Sequence, residues 1–435
     1  MNSVFCTCCE NVFNYKREIY ALKKGKFSRD RKMTMGDLTN YTIINNGKTT
    51  ALEADEFILE KYGDWEMTMS KQNISQQRMF LDPQIFKDMN YDSLIEIYTQ
   101  NESTLNKFKG YYVCGGDSTI VELPNHVMTR NEWNVPDDSL NYTNPTRARA
   151  SGFYDLKNEF MLDSVIDEIN IGERELVFQN IENVSHVIDF EKTISIYDRG
   201  YPSIELFLAI TEKKGKFIVR LKDTDYKKVR NNMKKNDEWV KIPLDKIKTN
   251  KIKNPEIRKK AEKKHYLKAR IVNITLPNGK VETLITNLPK KIANKDELKE
   301  LYAERWKIET NFDVLKNKLD IENFSGIKRI IIEQDFYSQI FMHNLLNEYK
   351  MQINKNNKNK KEEESNYKEY KVNVNILAGK LKGFLLKILY TDDLDEKRKI
   401  NEYILRTAEK HMQLVKKKNP HQEQENTGKI NTPQI

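Results

Sequence analysis

The stretch LYAERWKIETNFDVLKNKL, residues 301–319, decides how the chain is read. As a single helix, turning about 100° per residue, it brings Tyr302, Arg305, Glu309 and Lys316 into an arc of roughly 60°. With Tyr302 at zero, Leu301, Ile308, Phe312, Leu315 and Leu319 fall on an adjoining apolar stripe between about 220° and 280°. The spacing predicts a helix docked by that stripe, with a carboxylate, two cations and a phenol at the rim of a core. Trp306 lies on the other flank of the polar stripe. Taken alone, such a face is equally well explained by solvated Glu–Arg pairs. The elements on either side decide between the two.

Upstream, residues 1–105 carry apolar residues at helical spacing and read as a helical region, in which SKQNISQQRMF suits a short DNA-facing helix. From residue 106 the pattern changes. A β-prone run, Tyr111 to Cys114, ends at Gly115, Gly116 and Asp117, and a polar loop with Pro124, Asn131, Pro136 and Pro145 follows. RARASGFYDLKNEFMLDSVIDE reads as two strands with a turn near Lys157–Asn158, and GERELVFQNIENV as a helix. Thr193 to Tyr197 reads as a strand ending in Asp198, Pro202 as the first turn of the helix SIELFLAITEK, and KFIVRLK as another strand. The order β-β-β-α-β-α-β, with helical regions before and after, predicts an α/β fold.

Residues 222–289 interrupt that order as a β-rich basic insertion, which includes a hairpin turning at Asn278–Gly279. Between Lys222 and Lys264 there are 16 Lys/Arg against 7 Asp/Glu, so nearly all of the chain's net charge of +10 sits there. A local basic block suits a polyanion such as nucleic acid. The core resumes over 290–345. Residues 346–412 hold a low-complexity stretch, KMQINKNNKNKKEEESNYKEYK, and C-terminal helices that include VNVNILAGKLKGFLLKILY; residues 413–435 read as a disordered tail. No run of 18 apolar residues exists, so no membrane span is expected, and MNSVFCTCCE lacks the pattern of a secretory signal. Four cysteines in 435 residues argue against a disulfide scaffold; Cys6 and Cys9 have CxxC spacing, without a second pair to complete a zinc site.

If the first and fourth strands are neighbours, Asp117 and Asp198 meet at one rim, and the helix after the insertion brings Glu309 there. Singly, Asp117 suits a turn and Asp198 a helix cap. Together, three converging carboxylates repel one another unless a cation joins them, and hard oxygen ligands suit Mg²⁺, with Mn²⁺ as a substitute. Two such ions about 4 Å apart activate the attacking oxygen and stabilise the leaving oxygen of a phosphodiester. Arg305 and Lys316 then suit phosphates.

These residues resemble a known family. Tyr302, then Arg305 three on, Glu309 four further and Lys316 seven further match the signature of the DDE transposases of the insertion-sequence-four group, which includes the transposases of bacterial transposons five and ten. YDRGYPS around Asp198 is similar to the group's second-aspartate motif. VCGGDST around Asp117 is similar to its first, although members often carry Asp-Gly-Ser and here Ser118 follows directly. ASGFYDLKNEFMLDSVI and FSRDRKMTMGDL resemble further segments, so the likeness covers roughly residues 26–345.

The resemblance implies a ribonuclease-H-like catalytic core made of residues 106–221 and 290–345. It implies a metal-dependent endonuclease and strand transferase for cut-and-paste transposition: cleavage at the terminal inverted repeats by activated water, then attack of the freed 3′-hydroxyl on target DNA. Asp117, Asp198 and Glu309 would be catalytic and hold the metal. Tyr302, Arg305 and Lys316 would contact phosphates, with Arg199 a further DNA-binding candidate. Trp306 or Trp239 would stack a flipped base, against plain packing as the simpler role, and His343 reads as structural. The partners implied are double-stranded DNA, both transposon ends and target, and a second copy in a homodimeric synaptic complex; the setting is the bacterial cytoplasm, at the nucleoid. Two alternatives stand beside this: a domesticated DNA-binding protein, and a nuclease without strand transfer.

Overall fold

The computed structural model describes residues 3–28, 32–44, 49–135, 145–276, 278–356 and 368–416. Eight strands form one mixed sheet: β1 (Tyr112–Glu122), β2 (Arg147–Asp155), β3 (Met161–Glu168), β4 (Thr193–Tyr197), β5 (Lys216–Arg220), β6 (Asp237–Pro243), β7 (Tyr266–Thr275) and β8 (Val281–Thr286). Their order across the sheet is β3-β2-β1-β4-β5-β8-β7-β6. β4 lies parallel to both β1 and β5, and every other pairing is antiparallel. β4 sits at the middle, where all five residues of TISIY are buried, as a strand covered on both faces requires.

The residues read as a basic insertion do not stand apart from this sheet. β8 pairs with β5, and β7 and β6 extend from it. The β7–β8 hairpin turns at Gly279, whose φ of +78° is one that glycine adopts freely.

Neighbouring residues of a strand point to opposite faces, and β2 uses both. Ser151 Oγ donates to Asn180 on the helix Glu173–Val184 at 2.5 Å. The next residue, Gly152, faces Phe312 on the helix Trp306–Asn317. The two helices therefore cover opposite faces of the sheet. The long helix Arg329–Asn356 packs beside β3 and also against Val4–Asn11, Met35–Ile44 and Gln84–Gln100, joining the N-terminal helices to the sheet. Asn344 fixes that junction: its side chain bonds both the N–H and the C=O of Met161 at 2.8 Å.

Several expectations change. β1 does not stop at Asp117 but runs on to Glu122, and the stretch read as a loop holds the rest of β1 and a short helix, Val127–Glu132. Residues 136–144, within that loop, lie outside the described residues. Pro202 precedes the cap of its helix, which begins at Ile204 with Ser203 accepting from the Leu206 N–H. The 301–319 segment is two helices, Lys295–Ala303 and Trp306–Asn317, the first opened by a reciprocal Asn294–Glu297 capping box. Within the low-complexity stretch, residues up to Asn356 belong to the long helix, and Lys368–Lys371 pairs with Gln413–Lys416 as a two-stranded sheet. Residues 357–367 and 417–435, the remainder of the expected loop and tail, lie outside the described residues. The four cysteines are buried and unbridged; burial pushes the Cys6 thiol up to about 12, which does not suit a metal ligand.

Candidate active site

Register sets the two aspartates side by side. In the parallel β1–β4 pair Gly115 lies opposite Ile196, so Asp117 and Asp198 each stand two residues further along neighbouring strands. β4 ends at Tyr197 while β1 continues, paired with β2 alone, and so Asp117 occupies mid-strand where the parallel neighbour has stopped. Asp117 is paired with Gly152 and shares its face. That is the face covered by the helix Trp306–Asn317. A Cβ on Gly152 would lie 2.8 Å from Met161 Sδ and 3.2 Å from Phe312 Cζ, so glycine there lets the helix approach closely. Gly116 serves the opposite face, where a Cβ would lie 2.2 Å from the buried Tyr197 ring.

Glu309 sits on the first turn of the Trp306–Asn317 helix. Arg305 precedes that helix and is 3% exposed. Its Nη1 lies 2.5 Å from Glu309 Oε1 and 3.7 Å from Asp117 Oδ2. The guanidinium packs over Trp306, 4.9 Å from the ring centroid, and its buried Nε has no hydrogen-bond partner. Tyr302 donates to Asp198 Oδ1 at 2.8 Å, and Tyr201 donates to Asp117 Oδ1 at 3.2 Å. Arg220 Nη1 lies 4.0 Å from Asp198 Oδ1, and its Nε 3.2 Å from Glu282 Oε1.

The two aspartates differ electrostatically. Burial pushes Asp117 up to about 6, outweighing the Ser118 N–H and Arg305, which favour its charge. Burial alone would raise Asp198 too, but Arg305, the Arg199 N–H, Tyr302 and Arg220 together hold it below the ordinary carboxylate range. Burial also works against the charge on Arg305; Tyr302, Glu309 and Asp198 overcome it and raise its pKa.

The structure therefore brings together Asp117, Asp198, Glu309, Tyr302 and Arg305, with Trp306 against Arg305. Arg199, beside Asp198, is exposed. Lys316 is turned to another contact: it donates to the Ile120 carbonyl and lies 3.3 Å from Glu322. Trp239 is on β6, with Lys268 over its ring. His343 is buried beside Asn347, and burial brings its pKa down to about 3, in keeping with a structural residue. Sequence reasoning missed Tyr201, Arg220 and Glu282, which reach the site through the strand order; only Tyr201 stood in a motif already singled out.

Among the described residues no group of three or more His, Cys, Asp or Glu is gathered closely enough to hold a metal ion. Instead Asp117 and Glu309 face one cation, the Arg305 guanidinium, whose charge also acts on Asp198. Oxygen donors from three acids around a place that draws positive charge fit a hard divalent cation in kind.

One acid in mid-strand on β1, one just past the end of its parallel neighbour β4 and a third on a helix over the same face make up an acidic rim. The chain matches the model of the transposase DDE domain over residues 117–345, more than half its length, a span that begins at Asp117 and includes Asp198 and Glu309. The chain belongs to this DDE transposase family. Comparison with curated proteins gives no match.

Proposed function

We propose that the chain is a cut-and-paste DNA transposase of the insertion-sequence-four group. The observation that carries this is the family match over 117–345, which contains the three acids that strand register and Arg305 draw to one rim. Residues 106–221 and 290–345 would form a ribonuclease-H-like core, 222–289 a basic insertion, and 1–105 a helical DNA-binding region, with 346–412 the C-terminal helices and 413–435 a tail.

Asp117, Asp198 and Glu309 would hold Mg²⁺, or Mn²⁺ in its place. The bound ion would supply the Lewis-acid chemistry of phosphodiester cleavage. Tyr302 orients the Asp198 carboxylate through its hydrogen bond, and Arg220 adds positive charge near the same oxygen. Arg305 would exchange its carboxylate contacts for a phosphate near the cut, with Arg199 and Lys316 at the margins. Double-stranded DNA is the substrate, as element end and as target. A homodimer would pair the two ends, and the protein would act at the bacterial nucleoid.

The test uses the gene's own flanking DNA, incubated with the full chain and Mg²⁺, with Glu309→Gln as control. We expect cleavage at inverted repeats and joining to a target plasmid, both lost in Glu309→Gln while DNA binding persists. Cleavage retained in the variant would overturn the three-acid site. Binding without cleavage by the wild type would point to a DNA-binding protein instead, and cleavage without joining to a nuclease.

A further inference from the structure

A cleft of about 970 Å³ opens beside the acidic rim, between the helix Glu173–Val184, the Gly200–Glu205 segment and the basic residues that follow β5. Seven Lys/Arg and four Asp/Glu side chains line it. The four acids are already engaged. Glu173 pairs with Arg149 at 2.7 Å, and Glu175 pairs with Lys253. Glu205 accepts from the Lys253 and Asn254 N–H groups, and Asp225 from the Lys222 N–H at 2.8 Å. Among the described residues, Lys227, Lys228 and Lys251 of the cleft form no ion pair and are exposed. Arg174 uses Nε to bond the Gly200 carbonyl at 3.0 Å and lines the cleft with no ion pair among the described residues. The uncommitted charge is thus positive.

One segment joins the cleft to the rim. Asp198 and Ser203 are five residues apart; within that segment Tyr201 reaches into the site to Asp117, while Gly200, Pro202 and Ser203 line the cleft. A phosphodiester backbone matches both the cleft's uncommitted cations and its extent.

We infer that this cleft is a track for a DNA strand leaving the acidic rim, with Lys227, Lys228, Lys251 and Arg174 on its phosphates. The inference rests on the transposase reading and adds where the DNA runs.

The test compares three full-length proteins: wild type, Lys227→Glu/Lys228→Glu/Lys251→Glu, and a control with the same charge change on the exposed face of the Leu394–Lys410 helix, Lys399→Glu/Arg406→Glu/Lys410→Glu. Circular dichroism melts establish that all three fold. The probe is a fluorescent duplex from the gene's flanking sequence, titrated by anisotropy across a salt series. The cleft variant should bind at least about 10-fold more weakly at moderate salt, and its log K against log[salt] slope should flatten by about 2–3, one phosphate contact per lysine. The control should follow the wild type. Equal affinity and slope for cleft variant and wild type would overturn the track alone, as would an equal loss in the control. A wild type that neither binds nor cuts the duplex would overturn the transposase reading, and the track with it.

Discussion

At the scale of single residues, the site is a balance between half-buried carboxylates and one buried guanidinium. Asp117 shows the cost most directly. Its folded pKa of about 6 exceeds the ordinary 3.8, so the folded state holds the proton more tightly than the unfolded chain. That contribution is fully present below about pH 4 and is lost as pH rises through 6. In metal-free buffer at pH 7.5, Asp117→Asn should therefore stabilise the protein by on the order of 1–3 kcal/mol, and the gain should vanish by pH 4. Urea unfolding of both proteins at the two pH values checks this; a variant equally stable or weaker at pH 7.5 would contradict the assigned strain. The motif residues Tyr302, Arg305 and Glu309 were legible at this scale because their spacing is a local pattern. Arg220 and Glu282 were not. They approach each other and Asp198 across β5 and β8, and no local pattern announces that these strands are neighbours.

At the scale of elements, two departures from the sequence reading have physical causes. A helical wheel assumes a uniform turn through Glu304 and Arg305. Here the N–H groups of Arg305, Lys307 and Ile308 bond carbonyls three residues back, at 2.9–3.1 Å, so the turn tightens locally. The break lets Tyr302 address Asp198 while Glu309 faces Arg305 and Asp117. The second departure is β1, where two glycines read as a stop. They are instead the positions at which neighbouring groups come close, as glycines within a strand often are. Gly116 yields a prediction. A methyl group there must displace the Tyr197 ring, which is fully buried, so Gly116→Ala should cost about 1–3 kcal/mol. A urea double-mutant cycle with Tyr197→Leu should return part of that loss. Strict additivity would place the strain elsewhere. Most other strands and helices were legible, because alternation, caps and turn residues are short-range signals; the eight-strand order and the merging of β6–β8 with the central sheet depend on long-range pairing.

At the scale of the whole molecule, the helices before β1 are fastened to the element that closes the core. The first helix, Val4–Asn11, rests its N-terminus on Glu348, which accepts from Ser3 Oγ and the Val4 and Phe5 N–H groups. The second fastening is Arg78, on the helix read as DNA-facing. Its guanidinium is buried and bonds Ser325, Gln334 and Asp335 at 2.5, 2.8 and 2.5 Å. One face of Lys71–Arg78 is thus structural, and only the other is open to a partner. Removing one member of a buried pair leaves its counter-charge stranded, so Arg78→Ala should cost about 3–5 kcal/mol. Adding Asp335→Ala should recover part of this. If N-terminal helices and sheet form one cooperative body, hydrogen exchange in Val4–Asn11 and in β1 should speed up together in Arg78→Ala, and the urea transition should stay single with an unchanged slope. Faster exchange in Val4–Asn11 alone would mean that the N-terminal helices open separately. The N-terminal helices would then be coupled to the acidic rim only weakly, whereas a shared transition would let the Arg329–Asn356 helix carry a change at one to the other.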